Sequence, residues 1–266
     1  MKPVLELAIK EKRNLTEDEA YELLSNNGVP VPKYMIASSI EESLEKARAL
    51  GFPLVMKIIS PDIIHKTDIG GVMLNIMNEQ QVRESYKIII DSVKKNKPGV
   101  KINGVLLYKQ VPSGVEVIVG MVRDPQFGPT VMYGLGGIFT EILKDVSFRI
   151  CPVDRIDIVE MLHETKGIKM LKGYREQPSC DINAIIDIIM NISNIAMNYL
   201  VIKEIDLKPI MVYEKGAIVV DAKVFLNWIK IRKLVLKNIK SGINSPYVNY
   251  RPFKRSTRQI SCINWE

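Results

Sequence analysis

The sequence has few cysteines and few histidines, which limits the disulfide and metal chemistry available to it. Cys151, Cys180 and Cys262 are widely spaced among 266 residues, and the two histidines are His65 and His163. This number and spacing of cysteines provide neither a disulfide framework nor a set of metal ligands. We therefore expect all three cysteines to be free thiols.

Long apolar runs are also missing from the sequence. No run approaches the roughly 20 residues that a membrane-spanning helix needs. The N-terminal residues MKPVLELAIKEKRNL carry charge throughout and lack the apolar core of a signal peptide. Because 47% of residues are hydrophobic and 25% are charged, the composition is that of a globular protein and excludes a disordered or membrane-embedded chain. We expect a cytoplasmic protein that does not bind membranes.

Excess positive charge is confined to one end of the chain. The net charge is +7, with 37 Lys and Arg against 30 Asp and Glu, but nine of those bases and only one of those acids follow Leu226. The first 226 residues therefore hold 28 bases and 29 acids and are nearly neutral. A nucleic acid partner is not expected for such a body. We interpret residues 227–266 as a basic C-terminal tail, solvated or poorly ordered.

The local patterns predict a mixed α+β fold with two subdomains. Thr16 with Glu19 and Ser39 with Glu42 form capping boxes that begin helices, and Asn78 begins a third helix. Apolar strands are predicted between and after these helices at residues 54–59 and 72–76. The polar segment 94–99 then breaks the pattern. We predict subdomains at residues 1–100 and 101–226, followed by the tail.

Strands dominate the second predicted subdomain. Asp154 and Asp181 are placed to cap two helices, the second of them long and aliphatic. The sequence shows no solenoid period. The predicted strands cover residues 105–111, 115–123, 130–133, 139–143, 147–150, 203–207, 210–213 and 217–224.

The stretch from Val55 to Asn75 combines a lysine, a histidine and flexible backbone. Lys57 interrupts an apolar strand, and a buried lysine requires an anion, which a bound phosphate can supply. A lysine at a sheet edge whose stem alone is buried gives the same pattern. His65 fits a metal ligand, a general base, a phosphoryl acceptor or a packing residue, although no second histidine or cysteine lies nearby. Backbone N–H groups near Gly70 and Gly71 are suited to holding a phosphoryl group.

Further candidates lie in the second half of the chain. The run Gly134–Glu141 is rich in glycine, which permits close approach of backbone to phosphate and is equally typical of a turn or bulge. Arg149 adds a fixed cation on a strand. Glu116 and Asp221 are acids within apolar strands, as in nucleotide and Mg²⁺ sites, but solvent-facing acids look the same. His163 is interpreted as structural.

Several of these segments occur in an order that resembles one enzyme family. They are the stretch 15–22, the extended Val29–Pro32, the strand with Lys57, the loop SPDIIHKTDIGG, the run VEVIVG, Phe127-Gly-Pro129 and the run GLGGIFTE. Together they resemble the β subunits of ADP-forming acetyl-CoA synthetase, which are ATP-grasp proteins of the acyl-CoA synthetase (NDP-forming) superfamily. The resemblance extends over residues 15–226, and the histidine loop and the GLGGIFTE run are its most specific parts.

The resemblance implies an ATP-grasp fold of two α+β subdomains with the nucleotide between them. It implies an enzyme that interconverts acyl-CoA, ADP and phosphate with a carboxylic acid, CoA and ATP. A CoA-binding α subunit would complete an α2β2 complex, and ATP or ADP and Mg²⁺ would be the cofactors.

The resemblance also implies a role for each candidate residue. The α subunit would form an acyl phosphate and then a phosphohistidine, and His65 would take the phosphoryl group from it and deliver it to ADP. Arg149 would steady that group during transfer. Nucleotide contacts are implied for Lys57, for a hinge of Lys109, Gln110 and Val111, for Glu116 at the ribose, and for Gly136 and Gly137. Asp221 would bind Mg²⁺.

One position departs from the family pattern. An asparagine that helps to hold Mg²⁺ is expected before Pro209, and this chain has Lys208 there. A protonated lysine cannot ligate a metal ion. Two alternatives therefore stay open beside the main interpretation: a different ATP-grasp ligase such as a succinyl-CoA synthetase β subunit, or a catalytically impaired nucleotide-binding subunit.

Overall fold

The computed structural model describes residues 3–137, 144–173, 178–228 and 231. Within them, two antiparallel β-sheets are packed with helices, which confirms the mixed α+β fold. The helices are α1 (Pro3–Glu11), α2 (Glu17–Ser25), α3 (Ile40–Leu50), α4 (Glu79–Asn96), α5 (Arg155–Glu164), α6 (Ile168–Leu171) and α7 (Ile182–Asn198). The strands are β1 (Tyr34–Ala37), β2 (Leu54–Ile59), β3 (Val72–Ile76), β4 (Gly104–Lys109), β5 (Val115–Asp124), β6 (Gly128–Leu135), β7 (Val146–Ile150), β8 (Ile202–Val212), β9 (Ala217–Val219) and β10 (Ala222–Leu226).

The first sheet has four strands in the order β1-β4-β2-β3. All six residues of β2 are buried because both faces of this central strand are covered. Met56 and Ile58 point toward the apolar cluster shared with α3 and α4, whereas Val55 and Ile59 belong to the cluster of the second sheet. Apart from Lys57, the strand is therefore apolar at every position, instead of alternating between apolar and polar residues. Lys57 lies on the same face as Val55 and Ile59.

The second sheet has the order β10-β8-β5-β6-β7, with β9 paired to β8. The long helix α7 packs against β5, β6 and β8, and its isoleucines form much of the core. Helices α1 and α2 also join this core through Leu5, Leu23 and Leu24, which are fully buried. The beginning of the chain is therefore packed with the second sheet, although the strands that follow it build the first.

The helix starts predicted from sequence are confirmed. The Glu19 carboxylate accepts the Thr16 backbone N–H at 2.9 Å, and the Asp154 and Asp181 side chains accept backbone N–H groups in the first turns of α5 and α7. Ser39 and Asn78 cap α3 and α4 in the same way. Each of these caps acts within three residues, so a local sequence pattern is sufficient to identify it.

The paths of the strands differ from the predictions in three places, one of which is that the strand predicted at 217–224 is divided at residues 220–221 into β9 and β10. The subdomain boundary at residue 100 stays a prediction, but β4 lies beyond it and pairs with β1 and β2 of the first sheet. The two strands predicted at 203–207 and 210–213 form one strand, β8, which continues through Pro209. The strand predicted at 139–143 and nearly all of the tail lie outside the described residues.

Cys151 and Cys180 are free thiols, as predicted, while Cys262 lies outside the described residues. None of the helices in the described part of the chain is long and apolar enough to cross a membrane.

Gly104 provides a test of how closely strands β1 and β4 approach each other in the first sheet. Its φ of +135° suits glycine, and a Cβ atom there would overlap the carbonyl oxygen of Ala37 on β1. We expect Gly104→Ala to lower the free energy of unfolding by about 3 kcal/mol, because backbone strain and overlap add. The matched control is Gly128→Ala, which has a φ of +82° but open space around the new methyl group; it should cost about 1 kcal/mol. Equal losses in denaturant titrations would contradict this account.

Candidate functional site

A cleft of about 440 Å³ lies between the two sheets. It is open to solvent on one side and is lined by residues from β2, the histidine loop, the segment after β4, and β8 to β10. Five residues predicted from sequence line it: Lys57, His65, Gln110, Val111 and Asp221. The fold therefore brings together side chains that are up to 164 positions apart in the sequence.

Lys57 is the cation at the floor of this cleft, and only 5% of its surface is exposed. Its ammonium lies 2.7 Å from Glu17 Oε1 and 3.3 Å from Asp221 Oδ1, and it donates to the Val220 carbonyl at 2.9 Å. Burial alone would lower the pKa of Lys57, but the two carboxylates raise it above its ordinary value. Lys57 is therefore a buried, permanently charged group on a central strand. The alternative of an edge lysine with a buried stem is wrong.

Glu17 supplies the anion that a buried lysine requires. Its carboxylate is almost fully buried, with Oε1 on Lys57 and Oε2 2.9 Å from the ammonium of Lys66. Burial is the largest influence on the pKa of Glu17 and raises it above the ordinary value, while contact with the two ammonium groups acts in the opposite direction and favours the ionised form. We refer to Glu17, Lys57, Lys66 and Asp221 as the buried charge cluster. It joins α2, β2, the histidine loop and the start of β10.

Asp221 is the member of the cluster that is most accessible from the cleft, with 28% of its side chain exposed. Burial raises its pKa, but Lys57 and Lys66 outweigh burial and bring the pKa below the ordinary aspartate value. The preceding carbonyl, of Val220, also accepts a hydrogen bond from the Tyr21 hydroxyl of α2 at 2.5 Å. Asp221 is therefore a carboxylate at neutral pH, held at a fixed place on the wall of the cleft.

His65 projects from the loop between β2 and β3 and is exposed at the mouth of the cleft. A backbone hydrogen bond of 2.7 Å from Gly71 to the Lys66 carbonyl closes the loop behind it. A Cβ atom on Gly71 would come within 2.7 Å of the Ile58 side chain, so the loop returns to the sheet at a position that only glycine fits. This arrangement presents the imidazole to solvent and to the cleft at once.

The segment after β4 forms the wall opposite Asp221. The Gln110 side chain exchanges two hydrogen bonds of 2.8 Å with Asn75 of β3, which fixes Gln110 and Val111 along the cleft. Lys109 ends β4 and is exposed, and it does not contribute to the lining. Of the three predicted hinge residues, two therefore face the cleft.

A second pair of lysines lies on the β8 and β10 side of the cleft. Lys208 and Lys223 both line it, and Lys223 lies 3.8 Å from Asp206. Burial raises the pKa of Asp206, so this acid is a poorer anion than Asp221. Four ammonium groups, of Lys57, Lys66, Lys208 and Lys223, are thus distributed around the same space.

Glu116, Gly136 and Gly137 lie together in an adjoining cavity of about 930 Å³. The Gly136 backbone donates to the Glu116 carbonyl at 2.6 Å, and a Cβ atom on Gly136 would lie 2.7 Å from Glu116 Cβ. Ser113 lines both cavities, so they are neighbours. The rest of the glycine-rich run, residues 138–141, lies outside the described residues.

Arg149 is not brought to the cleft. It lies on β7, at the opposite edge of the second sheet from β10, and its guanidinium forms two hydrogen bonds of 2.6 and 2.9 Å with Glu164. Its predicted role in phosphoryl transfer therefore stays a prediction. His163, on the surface of α5, contacts Lys172 at 3.1 Å and is likewise distant in the fold.

Sequence reasoning missed Glu17 and Lys66. Glu17 lies in the acidic first turn of α2, where a glutamate is ordinary, and 40 residues separate it from Lys57. Lys66 follows the histidine directly and reads as a solvated loop residue. The signal that could have identified Glu17 is Lys57 itself, because a buried lysine requires an acid to neutralise it.

The arrangement suits a ligand that carries phosphate. Ammonium groups attract its negative charge, the segment after β4 supplies backbone and apolar contacts, and the exposed imidazole is a nucleophile within reach of the same space. In the described part of the chain, no group of three or more His, Cys, Asp or Glu is arranged to hold a metal ion by itself.

Comparison with known proteins agrees with this geometry. The family described as "ATP-grasp domain" matches residues 7–226. The β subunit of acetate–CoA ligase [ADP-forming] I from Pyrococcus furiosus is 48% identical over 223 residues, which cover 84% of this chain and 96% of that protein.

Two solved structures of acetyl-coenzyme A synthetase 1 from Candidatus Korarchaeum cryptofilum share the fold. One, in complex with coenzyme A and Ca-AMPCP, has a TM-score of 0.81 and 44% identity, over 84% of this chain and 98% of that one. The other has a TM-score of 0.74 and 40% identity over the same shares of the two chains. It contains coenzyme A and Mg-AMPPCP, and its phosphohistidine segment points towards the nucleotide-binding site. The chain described here belongs to the ATP-grasp family, within the group of β subunits of ADP-forming acetyl-CoA synthetase.

Proposed function

We propose that this chain is the nucleotide-binding β subunit of an ADP-forming acyl-CoA synthetase and that acetate is the acid. His65 accepts a phosphoryl group and delivers it to ADP in the cleft between the sheets. The observation that carries the proposal is that the exposed imidazole of His65 and the buried ammonium of Lys57 line one cleft. The relative from Pyrococcus furiosus, named as such a β subunit, supports the same activity.

The proposed transfer is a displacement at phosphorus. The terminal phosphate oxygen of ADP attacks the phosphoryl group on His65, the P–N bond breaks, a P–O bond forms, and the electron pair returns to the imidazole. Lys57 offsets negative charge on the phosphates, and Gln110 and Val111 position the base end of the nucleotide. The protein contributes mainly position and charge. Because each step is reversible, the same residues serve ATP synthesis and ATP consumption.

The phosphoryl group must come from a second protein in this proposal. In the described residues, the cleft supplies side chains for the nucleotide half of the reaction. His65 is exposed, as a residue that receives a phosphoryl group from another protein must be. We propose a CoA-binding α subunit that forms the acyl phosphate, and an α2β2 complex. Free thiols at Cys151 and Cys180 are consistent with a cytoplasmic setting.

We propose that Mg²⁺ enters the cleft with the nucleotide. Mg²⁺ is commonly held by one or two carboxylates together with substrate phosphates and water, so a complete set of protein ligands is not needed. Asp221 fits this use because its pKa is low and its side chain reaches the cleft. When bound, Mg²⁺ neutralises charge on the polyphosphate. Lys208 supplies a positive charge in the same cleft and cannot ligate the metal.

Replacement of His65 tests the proposed function. In complex with the α partner, wild-type protein incubated with labelled ATP should form an acid-labile phosphohistidine, and His65→Ala should form none. We expect ADP-dependent ATP synthesis from acetyl-CoA and phosphate to fall about 10³-fold or more, because the nucleophile is removed. The matched control is His163→Ala, which removes the other histidine and should retain label and turnover. Undiminished turnover in His65→Ala would refute the assignment. Turnover with succinyl-CoA in place of acetyl-CoA would indicate a succinyl-CoA synthetase instead.

Replacement of Lys208 tests how the cleft uses metal. Without Mg²⁺, we expect Lys208→Asn to bind ADP about tenfold more weakly than wild type, because a charge-assisted contact to phosphate is lost. With Mg²⁺, the new amide oxygen compensates for the lost contact. The ratio of the ADP dissociation constant in EDTA to that in Mg²⁺ should therefore be about tenfold higher for Lys208→Asn than for wild type. Isothermal titration in Mg²⁺ and in EDTA measures both constants. Lys203→Asn, an exposed lysine on the same strand, is the control.

The same variant decides between an active and an impaired subunit. The presence of Lys208 in the cleft is the observation that favours impairment. If the wild-type complex turns over fully, the impaired alternative is excluded. If it is inactive and Lys208→Asn restores turnover, the chain is a nucleotide-binding subunit that has lost catalysis.

A further inference from the structure

Lys66 differs from its neighbours in the histidine loop. Ile64, His65, Thr67 and Asp68 are exposed, whereas only 10% of the Lys66 side chain is accessible. Its ammonium reaches inward to Glu17 Oε2 at 2.9 Å. The residue next to the histidine is therefore the point at which the tip of the loop is fastened to the body of the protein.

The partner of Lys66 belongs to a different part of the fold. Glu17 lies on α2, whose apolar side is buried in the core of the second sheet through Leu23 and Leu24. The loop itself begins and ends on strands of the first sheet. The Lys66–Glu17 ion pair therefore connects the tip of the loop to α2 and, through α2, to the core of the second sheet.

The base of the loop is held separately. The Asp62 carboxylate accepts the Lys101 N–H at 2.8 Å, Ile63 is buried in the first core, and the Ile58 N–H donates to the Gly71 carbonyl at 2.8 Å. These contacts involve residues of the first sheet and its core. Loss of the Lys66 side-chain contact would leave them intact, so its effect should be confined to the residues around His65.

We propose that Lys66 is a positioning residue: its ion pair with Glu17 holds the histidine loop in the orientation that directs His65 into the nucleotide cleft. The proposal rests on the proposed function of His65 and adds the interaction that determines where His65 points. Glu17 keeps its second partner, Lys57, when Lys66 is replaced, so the fold and the floor of the cleft remain. Lys66 is for that reason a more informative position to change than Glu17 or Lys57.

Lys66→Met preserves the length and apolar character of the stem and removes the charge. Measured by mass spectrometry on the full-length chain, amide exchange of residues 61–70 should accelerate more than about tenfold, because a buried charge pair is lost. The affinity for ADP should change less than about threefold, since the floor of the cleft is intact, while the rate of phosphohistidine formation from ATP should fall more than about tenfold. Lys66→Arg, which keeps the charge, should restore both loop protection and phosphorylation rate. Lys46→Met, which removes a lysine from a surface pair with Glu42, should alter none of these quantities.

Each result has a defined meaning. Unchanged loop exchange in Lys66→Met would overturn the proposal, as would an ADP affinity that falls in parallel with the phosphorylation rate. Failure of Lys66→Arg to restore protection would show that a positive charge at this position does not hold the loop, which also overturns it. If the wild-type protein takes no label from ATP, the function proposed for His65 fails, and loop exchange alone then decides whether Lys66 holds the loop.

Discussion

The neutralisation of one buried lysine is the constraint on which the rest of the structure depends. Lys57 lies at the centre of a strand with both faces covered, where an unpaired ammonium would cost several kcal/mol. Glu17 and Asp221 provide the opposite charge, and the Val220 carbonyl accepts a further hydrogen bond. Because these groups belong to α2 and to the start of β10, pairing with Lys57 requires both segments to dock against the first sheet. The cleft is a consequence of this docking.

The same pairing determines how strongly the cleft can bind a phosphate. Lys57 is already held at a fixed position by two carboxylates, so little ordering of this side chain is needed when an anion arrives. A phosphate near Lys57 must, however, share that ammonium with Glu17 and Asp221. The gain from the new contact is therefore partly offset, which favours moderate affinity. Moderate affinity suits a site at which a phosphoryl group is proposed to pass in both directions.

Local interactions could be predicted from the sequence, and long-range pairings could not. The helix starts at Thr16, Asp154 and Asp181 are caps that act within three residues, and the strand at 54–59 is an apolar run apart from Lys57. Strand order carries no such signal, so the segment 94–99 was read as the end of a subdomain although β4 returns to the first sheet. The role of Arg149 is implied by the resemblance alone, and its strand, β7, lies at the opposite edge of the second sheet from β10. Glu17 was missed because its partner is 40 residues away.

The histidine loop, whose sequence is the most specific in the chain, is fastened at its tip by a kind of contact that can be exchanged. A loop tip packed through apolar side chains would have to expose them to water in order to move, at about 25 cal/mol for each Å². The Lys66–Glu17 pair is buried, so its separation also costs energy, but water or a phosphate in the adjoining cleft can replace the carboxylate on Lys66 and offset part of that cost. Ile63, at the base of the loop, has the apolar anchorage that a stationary segment requires. The division between a buried base and an ion-paired tip therefore confines movement to the residues around His65.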